Sequence, residues 1–319
     1  MSTFMDKCTN MGRQRRLLSV GLDSTVSRLP VTVRITEADP TGQLYFNQRI
    51  IRAVGDIAGF IKPNIAFYTG YDDDSGIRVY RRTMHMVRDE APDVVRIADM
   101  KRGDIGDTNV GYVREAFDDF DADAVTVSPY FGLEAMKPFL DRGDRGIVVL
   151  CRTSNPGAAD FQDRLTMLSP EEAKAWGYAD GELPSETVIV YGQRRYMIPF
   201  YQVVAHRVVT EWNYNGNCGL VVGATAPGPM AAVRRIVGQR FMLLGHGLGK
   251  QQADLVATVA NGVDRDGFGL AVNNSSQLTF AYEKSQTYGA EEFDLAAQEV
   301  ALQNHADLRA ALPLLGNDI

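Results

Sequence analysis

Four charged residues in two short strings suggest acid–base chemistry in a shared pocket. Lys62 closes the apolar run 59–62, and Asp99, Lys101 and Asp104 fall within Asp99-Met100-Lys101-Arg102-Gly103-Asp104. Side chains alternate along a strand, so Asp99 and Lys101 should point to one side, and Gly103 permits a turn that would carry Asp104 back toward them. With Lys62 arriving from a neighbouring strand, two lysines and two aspartates make a nearly neutral, mutually hydrogen-bonded array. Such an array keeps a lysine charged despite burial, and a charged lysine can donate a proton. A DxKxxD string can also be no more than a salt-bridged strand end; the second lysine and the barrel context favour a site.

Such convergence requires strands that end together. Short β-rich runs at 17–22, 59–62, 94–99, 124–128, 146–152, 219–224, 241–245 and 269–272 alternate with helical patterns at 76–89, 107–120, 133–140, 201–212, 228–237, 252–261 and 290–312. Eight strands with helices between them predict an α/β fold, a (β/α)8 TIM barrel forming a single domain over residues 1–319. An open doubly wound sheet is the competitor, but no GxGxxG turn follows the first strand. Residues 31–48 carry turn residues and little periodicity and read as surface structure before the first helix. Residues from about 160 to 199 read as an insertion after strand five on the active-site face, a lid, an interface or an inert excursion.

Composition sets the outer bounds. A chain of 319 residues with 45% hydrophobic and 23% charged residues is of ordinary globular make-up, which excludes disorder, collagen and small disulfide scaffolds. The net charge of −7, without a long basic run, argues against a nucleic-acid partner. Cys8, Cys151 and Cys218 have no metal-ligand spacing, so no metal site is expected and a reducing, cytoplasmic location is. No apolar run reaches the length of a signal peptide or membrane span, so no membrane association is expected. His85, His206 and His305 sit in helical patterns and read as surface or packing residues. Tyr68, Tyr71, Tyr130 and Phe131 lie at strand ends and could cover a ligand or cap the barrel core.

A second signal concerns anions, because barrels often hold phosphate in the loops after strands seven and eight. The first of these reads Gly245-His246-Gly247-Leu248-Gly249-Lys250-Gln251-Gln252 and leads into a helix; the second reads Asn273-Asn274-Ser275-Ser276-Gln277. Together they point to a phosphorylated ligand.

The strings FIKPNIAFY, IADMKRGDIGDT, DAVTVSPYFG, RTSNPGAADFQD, EWNYNGNCGLVVGAT and GHGLGKQQADL, in this order, resemble orotidine 5′-phosphate decarboxylase, in its longer bacterial branch. The similarity runs from about Ser19 to Tyr282. It implies cofactor-free decarboxylation of orotidine 5′-monophosphate to uridine 5′-monophosphate (UMP), in pyrimidine biosynthesis, on a barrel that works as a homodimer. Lys62, Asp99, Lys101 and Asp104 match the family's catalytic tetrad, with Lys101 protonating the carbon that loses carbon dioxide. The resemblance places Asp99 against the substrate carboxylate, and Asp104 with Thr108 in the partner subunit's site near the ribose. Asp23 and Lys62 match ribose contacts, Ile105 the wall beside the pyrimidine, Ser154 a hydrogen bond to the base, and Gln251 the closing phosphate loop.

The chain departs from the family at the phosphate. Gln277 stands where the family has its phosphate-gripping arginine, His246 where it has proline, Lys250 where it usually has alanine, and Gln252 with Ala253 where it has two glycines. Lys250, with Gly247 and Gly249 in its loop and the backbone N–H groups of Ser276 and Gln277, is expected to replace the lost charge, though a lysine is a point charge and not a bidentate fork. Two alternatives remain: a related barrel lyase acting with magnesium on another sugar phosphate or nucleoside, and a non-catalytic nucleotide-binding descendant.

Overall fold

A computed structural model describes residues 3–36, 39–71, 73–223, 227–246 and 252–312. Eight parallel strands close into a barrel: β1 (Leu18–Gly21), β2 (Phe60–Lys62), β3 (Val95–Arg102), β4 (Ala124–Val127), β5 (Gly146–Arg152), β9 (Cys218–Gly223), β10 (Met242–His246) and β11 (Leu270–Asn274). Each neighbours the next around the ring, and β11 pairs with β1 to complete it. The outer layer comprises α2 (Thr41–Val54), α3 (Ser75–Glu90), α4 (Gly106–Val113), α5 (Gly132–Leu140), α7 (Phe200–Arg207), α8 (Pro227–Val237), α9 (Gln252–Gly262) and α11 (Phe293–Ala311). The (β/α)8 architecture expected from the strand count is therefore present. No helix among the described residues is long and apolar enough to cross a membrane.

Strand alternation divides the apolar residues into two cores. Outward residues such as Val20, Ile61, Ala98, Val125, Val149 and Leu243 join the layer beneath the helices. Inward residues Phe60, Val95, Ile97, Ala124, Val148, Val221, Met242, Leu244 and Ala271 fill the barrel. Helix α1 (Phe4–Arg13), absent from the sequence expectation, adds Phe4, Cys8 and Met11 to that inner core. Phe4 fits because Gly146 has no side chain, since a Cβ there would lie 2.5 Å from the Phe4 ring.

Helix α2 corrects the reading of 31–48 as irregular, for it begins at Thr41. Its buried face runs Gln43, Phe46, Asn47, Ile50, Ile51 and Val54, a helical spacing in which two positions are polar. Both are paired inside: Asn47 Nδ2 donates to Tyr68 Oη at 2.8 Å and Thr83 Oγ1 at 3.1 Å, and Gln43 Nε2 donates to the carbonyl of Phe67 at 3.2 Å. Buried amides thus interrupt the hydrophobic pattern without breaking the helix.

Between β5 and α7 the chain forms β6 (Leu165–Met167), α6 (Pro170–Ala175), β7 (Glu186–Val190) and β8 (Gln193–Pro199), an antiparallel sheet in the order β6-β8-β7. It carries its own small core of Leu168, Ala173, Trp176, Tyr178 and Ile198. His206, expected to be a surface or packing residue, stacks on Trp176 with ring centroids 4.5 Å apart and an interplanar angle of 3°, and is hydrogen-bonded to Tyr178 Oη at 2.9 Å. His85 Nε2 lies 3.1 Å from the carbonyl of Asp119. The short α10 (Ser276–Thr279) follows β11.

Candidate active site

Inward alternation carries polar residues to the upper layer of the barrel. Above Phe60 comes Lys62, above Ile97 comes Asp99, above Leu244 comes His246 and above Ala271 comes Asn273. With Asp23, Asn64, Lys101, Leu150, Thr153, Ser154, Asn155, Val221 and Ser275 they line a cavity of about 260 Å³ at the C-terminal ends of the strands, where barrels of this kind place their active sites.

Asp99 is the hub. Lys62 Nζ donates to its Oδ2 at 2.7 Å, Lys101 Nζ to its Oδ1 at 2.6 Å, and Thr126 Oγ1 to the same Oδ1 at 2.9 Å. Burial works to raise the Asp99 pKa, but the charges of Lys62 and Lys101 outweigh it and hold the carboxyl below its ordinary range. Burial works equally against the charge of Lys62, and there Asp99 and Asp23 more than offset it, so its pKa lies above that of an ordinary lysine. Lys62 is enclosed at 2% side-chain exposure, whereas Lys101 is 44% exposed. Of the two ammonium groups, Lys101 is the more open to a bound molecule.

Lys101 converges on Asp99 by a different route from simple alternation. The β3–β4 register shifts between Ala98 and Arg102, and Lys101 takes φ +48°, a left-handed conformation costly for a residue with a side chain. The backbone N–H groups of Met100 and Lys101 both donate to Thr126 Oγ1 at 3.0 Å. One hydroxyl therefore holds the bulge and the carboxylate together. Thr126 was missed in the sequence, although its inward register two residues above Ala124 marks it.

Asp104 does not join the array expected of it. Its carboxylate accepts the N–H of Ile105 at 2.7 Å, and its own backbone N–H donates to Asn109 Oδ1 at 3.1 Å, fixing it at the start of α4. Among the described residues no ion pair links it to either lysine. Ile105 is 60% exposed and Thr108 is also exposed, both away from the cavity lining.

The binding residues divide similarly. Asp23 lines the cavity, and its Oδ1 is a buried acceptor with no hydrogen-bond partner among the described residues. Gly21 makes room beside it, because a Cβ there would lie 1.9 Å from Ser275 Oγ. Ser154 lies in the lining too, in a loop where Gln162 Oε1 accepts the Thr153 N–H at 2.7 Å. Ser276 and Gln277 instead face a second cavity, of about 670 Å³, shared with Arg28, Phe280 and Glu283. Gly247, Gly249, Lys250 and Gln251 lie outside the described residues, as do the side chains of Gln252 and Ala253. Tyr68 is buried against Tyr80 and belongs to the core, whereas Tyr130 is 84% exposed.

Comparison with known proteins adds an independent line. The sequence pattern of the Orotidine 5'-phosphate decarboxylase / HUMPS family matches residues 18–279. The orotidine 5'-phosphate decarboxylase of Bordetella pertussis is 38% identical over 280 residues, which cover 88% of this chain and 90% of that one. Among solved structures, Leishmania donovani OMP decarboxylase superposes with a TM-score of 0.71 at 29% identity, covering 96% of this chain and 99% of the other. Leishmania donovani UMP synthase gives a TM-score of 0.75 at 27% identity, covering 98% of this chain and 57% of that longer one.

Proposed function

The chain belongs to the orotidine 5′-phosphate decarboxylase / HUMPS family, acting as a carboxy-lyase that converts orotidine 5′-monophosphate to UMP in pyrimidine biosynthesis, and we propose that Lys62, Asp99 and Lys101 carry the reaction. The observation behind this assignment is the Lys62–Asp99–Lys101 chain lining the cavity, with Lys101 the more exposed of the two ammonium groups.

In this reading the bond between C6 of the pyrimidine and its carboxylate breaks, carbon dioxide leaves, and the electron pair stays on C6. That carbanion has no adjacent carbonyl to delocalise it well, so a fixed ammonium is its effective stabiliser. Lys101 Nζ supplies the charge and then the proton, and is recharged from water. Asp99 holds both ammonium groups in place and faces the leaving carboxylate. Asp23, with its unpartnered oxygen, accepts from a ribose hydroxyl, Lys62 contacts the same ribose, and Ser154 hydrogen-bonds the base. The phosphate falls to Gly247, Gly249, Lys250, Gln251, Ser276 and Gln277. Binding energy collected there, far from C6, can serve the chemical step.

The enzyme acts as a homodimer in this reading. Asp104 and Thr108 are not among the residues lining their own cavity, and exposed Ile105 is an apolar residue suited to cover; all three would serve the partner's site. Residues from about 160 to 199 form an added segment on the same side. A cytoplasmic location fits three buried, unpaired cysteines.

The test is conversion of orotidine 5′-monophosphate by the purified protein in the presence of a chelator, with UMP identified as the product. Rapid turnover is expected. Turnover that stops on chelation would favour a magnesium-dependent lyase, and no turnover at high enzyme concentration would reject the assignment.

A further inference from the structure

The cavity contains one hydrogen-bonding ring that the reaction as described does not use. Met242, Leu244 and His246 occupy successive inward positions of β10, so His246 stands in the same upper layer as Lys62 and Asp99, registered between Gly223 of β9 and Asn273 of β11. It lines the cavity and makes no hydrogen bond to any other described residue. Its electrostatic neighbours are Lys62, Asp99 and Lys101. Burial first, then the two ammonium charges, push its pKa down to about 3 against the opposing pull of Asp99, so the ring is neutral near pH 7. A neutral imidazole offers one N–H donor and one acceptor nitrogen, here both without a hydrogen-bond partner among the described residues.

We propose that His246 is a specificity-determining residue whose ring N–H donates a hydrogen bond to the substrate carboxylate lying against Asp99 and Lys101. The inference rests on the decarboxylase reading and deepens it. The carboxylate is the group that this reaction brings to the neighbours His246 already shares. Its negative charge disperses as carbon dioxide forms, so the hydrogen bond is strongest in the bound substrate and absent in the product. Removal should therefore weaken substrate binding selectively and leave the product, which has no carboxylate, almost unaffected.

Calorimetry in a Lys101→Ala background, where substrate persists, separates these effects. His246→Ala should weaken orotidine 5′-monophosphate about tenfold or more, the size of a hydrogen bond to a charged group, while UMP affinity changes less than about twofold. His246→Asn, which restores a donor, should recover part of the loss. In the otherwise native enzyme KM should rise while kcat holds or rises, because the bond lost belongs to the bound substrate more than to the transition state. Equal weakening of both nucleotides would reduce His246 to packing support, and unchanged substrate affinity would overturn the assignment outright. Failure of the decarboxylase reading is recognised separately, by native enzyme that does not turn over its substrate; protein that binds neither nucleotide overturns both.

Discussion

Asp99 at the barrel mouth and His206 beside the β6-β8-β7 sheet are similarly removed from water, at 2% and 5% exposure, yet one is held charged and the other neutral. Asp99 keeps its charge because two ammonium groups and a hydroxyl converge on it. His206 meets the Trp176 ring and the Tyr178 hydroxyl, and burial lowers its pKa to about 4. The difference is one of partners rather than depth. A buried charge balanced by its neighbours beside an open cavity can act on a ligand, whereas a buried neutral ring with aromatic neighbours packs.

The largest contrast should come from removing each hub. Asp99→Ala leaves Lys62 enclosed without its counter-charge and should cost about 3–5 kcal/mol of stability in denaturant unfolding, together with activity. His206→Phe keeps the stack and should cost less than about 1.5 kcal/mol. Comparable losses for the two would erase the distinction between them.

The pH dependence should differ next. The unfolded chain protonates His206 near pH 6.5, and the folded one only near 4. Its contribution is therefore complete above 6.5 and is lost as the pH falls through that window, by on the order of 3 kcal/mol. Asp99 runs lower: its depressed pKa gives stability present above the ordinary carboxylate range and lost only as the pH falls beneath it. Thermal melts of native protein and His206→Phe between pH 7 and pH 4 should converge if His206 is the acid-sensitive group.

Much of this contrast is legible in the chain, and the exceptions have physical causes. Eight apolar runs locate the barrel, and the DxKxxD string with Lys62 locates its mouth. Helix α2 is hidden because Gln43 and Asn47 occupy core positions through internal hydrogen bonds. Lys101 is found by its spacing, but its bulge and left-handed backbone depend on Thr126, a residue 25 positions away. Asp104 stands apart from the two lysines of its own chain, its carboxylate on the Ile105 N–H and its own N–H on Asn109, because the turn at Gly103 leads straight into α4. His246 is visible in the alternation Met242, Leu244, His246, but a histidine in a glycine-rich loop reads first as part of a phosphate site.

Smaller effects sharpen the mouth itself. Gly21→Ala would drive a methyl into Ser275 Oγ and should cost about 1–3 kcal/mol of stability, with UMP affinity falling as Asp23 and Ser275 shift. Gln277→Arg should tighten UMP about tenfold by restoring a bidentate phosphate partner, and Lys250→Ala should weaken it severalfold; titration with UMP reads both.

The most direct test is the single-turnover rate of Lys101→Ala measured beside its affinity for UMP. With Lys101 as both charge stabiliser and proton donor, the rate should fall by at least about a thousandfold while UMP still binds. A variant that keeps its rate would contradict the assignment of Lys101, and with it the Lys62–Asp99–Lys101 chain as the catalytic device.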